Sequence, residues 1–106
     1  MVHAYVHRVR QAVQAGAYRL TTHAEHEREA DAISTGEIEE AFASESLELL
    51  EDYPNDPRAP SALFLGFTEA VRPLHAVIGV SNSAVIVFMT LYRPNPNLWY
   101  DWRRRV

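Results

Sequence analysis

The sequence predicts an α+β fold, with N-terminal helices packed on one face of a small antiparallel β-meander of about four strands. Three observations predict it. Apolar residues recur at helical spacing through the first part of the chain. From Leu47 onward the period changes to short β-rich runs. The links between those runs are short enough for hairpins.

Val2, Tyr5, Val6, Val9, Ala12 and Val13 share one helical face, so residues 2–15 read as an amphipathic helix that Gly16 stops. Tyr18-Arg19-Leu20 is a short extended link. Thr22 with Glu25, and Ser34 with Glu37, have capping-box spacing and predict helices over 23–31 and 35–43. Ile38, Ala41 and Phe42 form the apolar face of the second. Residues 48–53 are a strand, followed by a rigid loop over 54–60, where Pro54, Pro57 and Pro60 fix φ and remove donors. Residues 62–68, 74–80 and 84–92 are the remaining strands of the meander, with Asn82-Ser83 in the last turn. Arg93-Pro94-Asn95-Pro96 cannot continue a ladder. The organisation is therefore one domain over 1–98 and an aromatic and arginine-rich tail over 99–106.

At 106 residues and 47% hydrophobic the chain is sized for one domain with one core. It has no cysteine, which excludes disulfides and thiolate metal sites and suits a reducing cytoplasm. The N-terminus lacks a basic segment followed by an apolar run, and the longest apolar run, 84–89, is far too short to span a bilayer. These features predict a soluble, cytoplasmic protein. The net charge of −4 argues against a domain that coats nucleic acid by bulk electrostatics. The charge is uneven, however. The acids concentrate over 25–56, whereas Arg58, Arg72, Arg93 and Arg103 to Arg105 make the second half net basic.

The side chains that titrate near neutrality are His3, His7, His23, His26 and His75. His3 and His7 are one helical turn apart, but no third ligand accompanies them, so no metal is expected there. His23 and His26, in the first turn of a helix, do not form a His-Glu-x-x-His pattern. A helix N-terminus favours neutral imidazole, which suits a general base; capping or packing is the alternative role for His23. His75 lies in an apolar strand, where a histidine is either half-buried and hydrogen-bonded or functional. Tyr92 and Arg93 end the last strand, where sheet meets loops and sites often form. Trp99, Tyr100 and Trp102 beside three arginines can stack on bases, or tuck the tail onto the domain.

Leu20-Thr21-Thr22-His23-Ala24, Arg72-Pro73-Leu74-His75-Ala76-Val77 and Thr90-Leu91-Tyr92-Arg93-Pro94 with Trp99 together resemble the domain-of-unknown-function 4258 family. The segments 51–56 and 60–67 are similar to a subgroup signature of it. The resemblance covers about 18–100. It implies a RelE- and BrnT-like toxin fold and a toxin–antitoxin role. The partner it implies is a cognate antitoxin, often a small zinc-finger protein with a helix-turn-helix. The activity it implies is endoribonuclease action, without metal or cofactor, on mRNA that is free or ribosome-bound. Such cleavage drives the 2′-hydroxyl onto the adjacent phosphate and needs a base, an acid and a cation. His23 and His75 are expected as base and acid, in either order, and Tyr92 as a positioning or proton-transfer group. Arg58, Arg72 and Arg93 are expected to bind phosphate. Two other outcomes are kept open. One is a non-catalytic domain that pairs with a partner protein, for which the histidines would lie apart or be buried in structural hydrogen bonds. The other is a metal-dependent hydrolase built on His23, His26 and nearby glutamates.

Overall fold

The computed structural model describes residues 2–81 and 84–106, with side chains from Ala4 onward. The His3 side chain and the Asn82-Ser83 turn lie outside the described residues. Three helices, α1 (Val2–Gln14), α2 (Thr22–Ala30) and α3 (Thr35–Phe42), and a five-stranded sheet form the α+β fold that the sequence predicts. The sheet strands are β1 (Tyr18–Leu20), β2 (Glu48–Tyr53), β3 (Ser61–Phe67), β4 (Pro73–Gly79) and β5 (Ile86–Tyr92), in the order β1-β5-β4-β3-β2. β2 to β5 are the antiparallel meander. The extended link Tyr18–Leu20 adds an edge strand, and it pairs with β5 in parallel.

Each helix start has a specific cause. Ser34 caps α3 in a reciprocal box: its hydroxyl accepts from the Glu37 N–H, and the Glu37 carboxylate accepts from the Ser34 N–H. At α2 the cap is Thr21, one residue before the expected Thr22. The Thr21 hydroxyl accepts from the Ala24 N–H and donates to the Met89 carbonyl, so one side chain both caps the helix and ties it to β5. That shift takes Glu25 out of box spacing, and it pairs with Arg28 at 2.6 Å instead.

The helices pack on one sheet face, over Ala62, Phe64, Leu74, Ala76, Ile78, Ile86, Phe88 and Leu91. Phe42 and Phe88 meet edge to face, with ring centroids 5.2 Å apart. Gly66 lets β3 approach α3: a Cβ there would lie 2.5 Å from the Ala41 carbonyl oxygen.

The opposite, open face follows from the register. Glu48, Leu65, His75 and Tyr92 form one row across β2 to β5, and Glu51, Leu63, Val77 and Thr90 the next. Residues 99–106 are an ordered hairpin of β6 (Trp99–Tyr100) and β7 (Arg104–Arg105). It lies on the first of those rows, so β3 is buried on both faces. The turn of this hairpin holds Asp101 and Trp102 at φ 50° and 63°, in the left-handed region that non-glycine residues avoid.

Candidate functional site

His75 is the centre of the covered half of the open face. It is completely buried. Trp99 packs edge-on against its ring with centroids 4.5 Å apart, and Tyr92 does so at 5.5 Å. The His75 Nε2–H donates to the Trp102 carbonyl at 2.7 Å; a carbonyl only accepts, so the proton is on Nε2. Nδ1 is then the bare nitrogen and accepts from the Tyr92 hydroxyl at 3.3 Å. Burial, opposing charge, holds the imidazole below its ordinary value, and the ring is neutral at neutral pH. Burial also pushes the Tyr92 phenol up to about 12.

Beside this pair lie Glu48, Glu51 and Tyr53, which the sequence did not single out for roles, and the residues of the tail. Arg105 donates from Nε and Nη2 to the two Glu51 carboxylate oxygens at 3.0 and 2.9 Å. That bidentate grip holds Glu51 below the usual carboxylate range. Tyr53 donates its hydroxyl to Glu51 as well. Arg105 stacks over the Trp99 ring, 4.7 Å from its centroid, so Trp99 sits between guanidinium and imidazole. Arg103 closes the hairpin onto Glu48 at 2.7 and 2.9 Å. Carboxylate, imidazole, two phenols and a guanidinium therefore share one patch. A cavity of about 440 Å³ adjoins it, lined by Tyr92, Arg93, Asn95, Leu98, Trp99, Arg105 and Val106.

The six residues expected at the site fall into three places. His75 and Tyr92 are in direct contact. His23 and Arg58 line a separate cavity of about 420 Å³ with Arg19, Thr21, Ala59, Val87 and Met89. His23 is two-thirds exposed there and pairs with Glu27 at 3.3 Å, so the two histidines are not partners. Arg93 lines the cavity beside the His75 patch, but its guanidinium, like that of Arg72, is drawn to the helix side by Glu37. Arg93 contacts both Glu37 oxygens, at 2.9 and 3.1 Å, and also donates to the Asp31 and Ala32 carbonyls. That arrangement pins the α2–α3 turn, where Ala32 adopts φ 54°. Arg72 lies 3.8 Å from Glu37. A third cavity, of about 780 Å³ between α1 and β2, holds His7 but none of the six.

Among the described residues no group of three or more His, Asp or Glu is arranged to hold a metal ion, and no helix is long and apolar enough to cross a membrane. No curated protein and no solved structure matches the chain at a significant level. A family described as "Domain of unknown function (DUF4258)" matches residues 20–93, from the end of β1 to the end of β5. That span contains β2 to β5, α2, α3 and every residue of the Glu51–His75–Tyr92 patch except those of the hairpin, and the chain belongs to the DUF4258 family.

Proposed function

We propose that the chain is a metal-independent endoribonuclease of toxin type, neutralised by a cognate antitoxin. Its reactive patch is Glu51, Tyr53, His75 and Tyr92 beneath the C-terminal hairpin. The observation that carries this reading is the gathering of these groups with Arg105 on one sheet face. Glu51, ionised, takes the proton of an RNA 2′-hydroxyl as its oxygen attacks the adjacent phosphorus. The bond from phosphorus to the 5′ oxygen breaks, and that oxygen takes a proton from His75. In the covered form His75 is neutral and has no access to solvent. Catalysis therefore requires the hairpin to lift, which returns the imidazole toward its ordinary value near 6.5, where it holds the proton the leaving oxygen needs. Tyr92 orients the ring through Nδ1. Arg105, carried on the hairpin, is the cation nearest the patch in the covered form, and a phosphate would compete with Glu51 for it as the hairpin lifts.

The same burial favours a second reading, a non-catalytic domain that pairs with a partner protein. His75 is fully buried with both ring nitrogens occupied, which suits a structural histidine.

One experiment separates the two. Full-length protein and Trp99→Ala are incubated with RNA in the presence of a chelator, and the ends are analysed for 2′,3′-cyclic phosphate and 5′-hydroxyl. Trp99→Ala removes the cover from His75 while leaving Glu51, His75 and Tyr92 in place. Under the ribonuclease reading it cleaves faster than wild type, and His75→Gln in the same background abolishes the gain. A folded Trp99→Ala protein whose His75 titrates near 6.5 but leaves RNA intact would retire that reading in favour of the binding domain.

A further inference from the structure

We infer that the uncovered half of the open face is a nucleotide subsite, taking one phosphorylated nucleoside of single-stranded RNA at Arg19, His23 and Arg58. The choice of RNA rests on the proposed function; the subsite itself rests on the cavity. Its polar groups come from three separate segments: Arg19 from β1, His23 from the first turn of α2, and Arg58 from the loop between β2 and β3.

Arg19 is directed there by the parallel register, which sets it beside Val87, a residue that alternates with the core residues Ile86 and Phe88. Among the described residues the Arg19 side chain makes no ion pair or hydrogen bond, so its charge is available to a ligand. Arg58 gives two side-chain N–H groups to Asp56, at 3.1 and 2.8 Å. A guanidinium has five, so three remain for phosphate oxygens. The His23 Nε2 faces Glu27 at 3.3 Å, which leaves Nδ1 free.

The lining also has an apolar part, Ala59, Val87 and Met89. A bare phosphate has no use for it, whereas a ribose or base does. The volume, about 420 Å³, lies in the range of small-ligand sites. Met89 of this cavity and Tyr92 of the covered patch are three residues apart on β5, roughly 10 Å at the rise of a strand. A single strand of RNA lying along the face reaches both.

The test titrates the full-length chain with a 2′-O-methyl tetranucleotide, which binds as RNA does but cannot be cleaved through its 2′-oxygen. Binding is followed by fluorescence anisotropy and by the ring resonances of His23. Arg19→Glu, at an exposed position on an edge strand, is expected to fold as wild type and to weaken binding about tenfold or more. Arg19→Ala is expected to reduce the slope of log affinity against log salt by about 0.7, as for one lost phosphate contact on a single strand. Glu45→Gln, at an exposed position that lines neither the subsite nor the covered patch, is expected to leave this binding unchanged. Equal affinity of wild type and Arg19→Glu overturns the subsite. So does the absence of binding at millimolar oligonucleotide, or equal competition by an acidic peptide. Arg19-dependent binding without cleavage by any uncovered variant sinks the catalytic reading and leaves the subsite standing.

Discussion

The two halves of the open sheet face differ in how their charge is handled. Over Glu48, Glu51 and His75 the face is covered, and its charges are matched: Arg103 answers Glu48, Arg105 answers Glu51, and burial keeps His75 neutral. Beside Val87 the hairpin leaves a cavity, and its rim is cationic, with the Arg19 side chain unpaired among the described residues. One half resembles a folded core with polar members; the other resembles a surface waiting for an anion. Reactive groups are concentrated in the half that the hairpin covers, where His75 is completely buried while Glu51 and Arg105 keep solvent contact. An activity located there must therefore be gated, whereas binding at the open half need not be.

The largest expected effect tests whether the covered half does chemistry at all. In an uncovered background, His75→Gln should lower RNA cleavage by about 10²–10⁴-fold, the usual contribution of a general acid or base. His23→Ala in the same background should change the maximal rate little and weaken RNA binding instead. Steady-state kinetics of the two variants, each checked by circular dichroism, read the difference. Loss of turnover in His23→Ala alone would reverse the assignment of the two halves.

The next effect concerns the scaffold that holds both halves level. Gly66→Ala drives a methyl group into the Ala41 backbone, so α3 and β3 must separate. A loss of about 1–3 kcal/mol in chemical denaturation is expected, as for overpacked cores. Tolerance of Gly66→Ala would mean that the helix layer shifts freely. The open face would then not be a rigid platform.

Much of this scaffold was legible in the sequence. The Ser34 and Glu37 box set the start of α3, and residues 74–80 and 84–92 read as successive strands of the meander, whose register then sets His75 beside Tyr92. What escaped depends on distant partners. Tyr18-Arg19-Leu20 is too short to show a period, and its strand character comes from β5. Thr21 prevails over Thr22 as cap because its hydroxyl also reaches the Met89 carbonyl. Glu51 and Arg105 are 54 residues apart, and nothing local marks them as a pair. One signal was present: Ser61-Ala62-Leu63-Phe64-Leu65 has no polar alternation, which is the pattern of a strand covered on both faces. Leu63 and Leu65 are buried on that face, and the aromatic tail is the apolar segment left to cover it, with Trp99 buried in place.

The smallest effect sharpens the comparison through pH. The folded-state value of His75 is depressed below 6.5, so the unfolded or uncovered state binds more protons as pH falls through that value. Stability of the covered form is therefore fully present above 6.5 and declines below it, until the folded group also protonates. Glu51 acts in the same sense at lower pH, because its depressed carboxyl stabilises the fold above the ordinary carboxylate range and loses that contribution as pH falls through its folded value. The groups facing His75, namely Tyr92, Glu51 and Arg105, include no second base that titrates in this window. Acidification from pH 7.5 to 5.5 is thus expected to lift the hairpin before the helix layer responds. Fluorescence of Trp99 and Trp102 should change while far-ultraviolet circular dichroism stays constant, and His75→Gln should remove the transition in that interval. A pH-independent tryptophan signal would mean that the hairpin is held by its ion pairs and apolar contacts alone. Gating would then have to come from a bound partner rather than from protons.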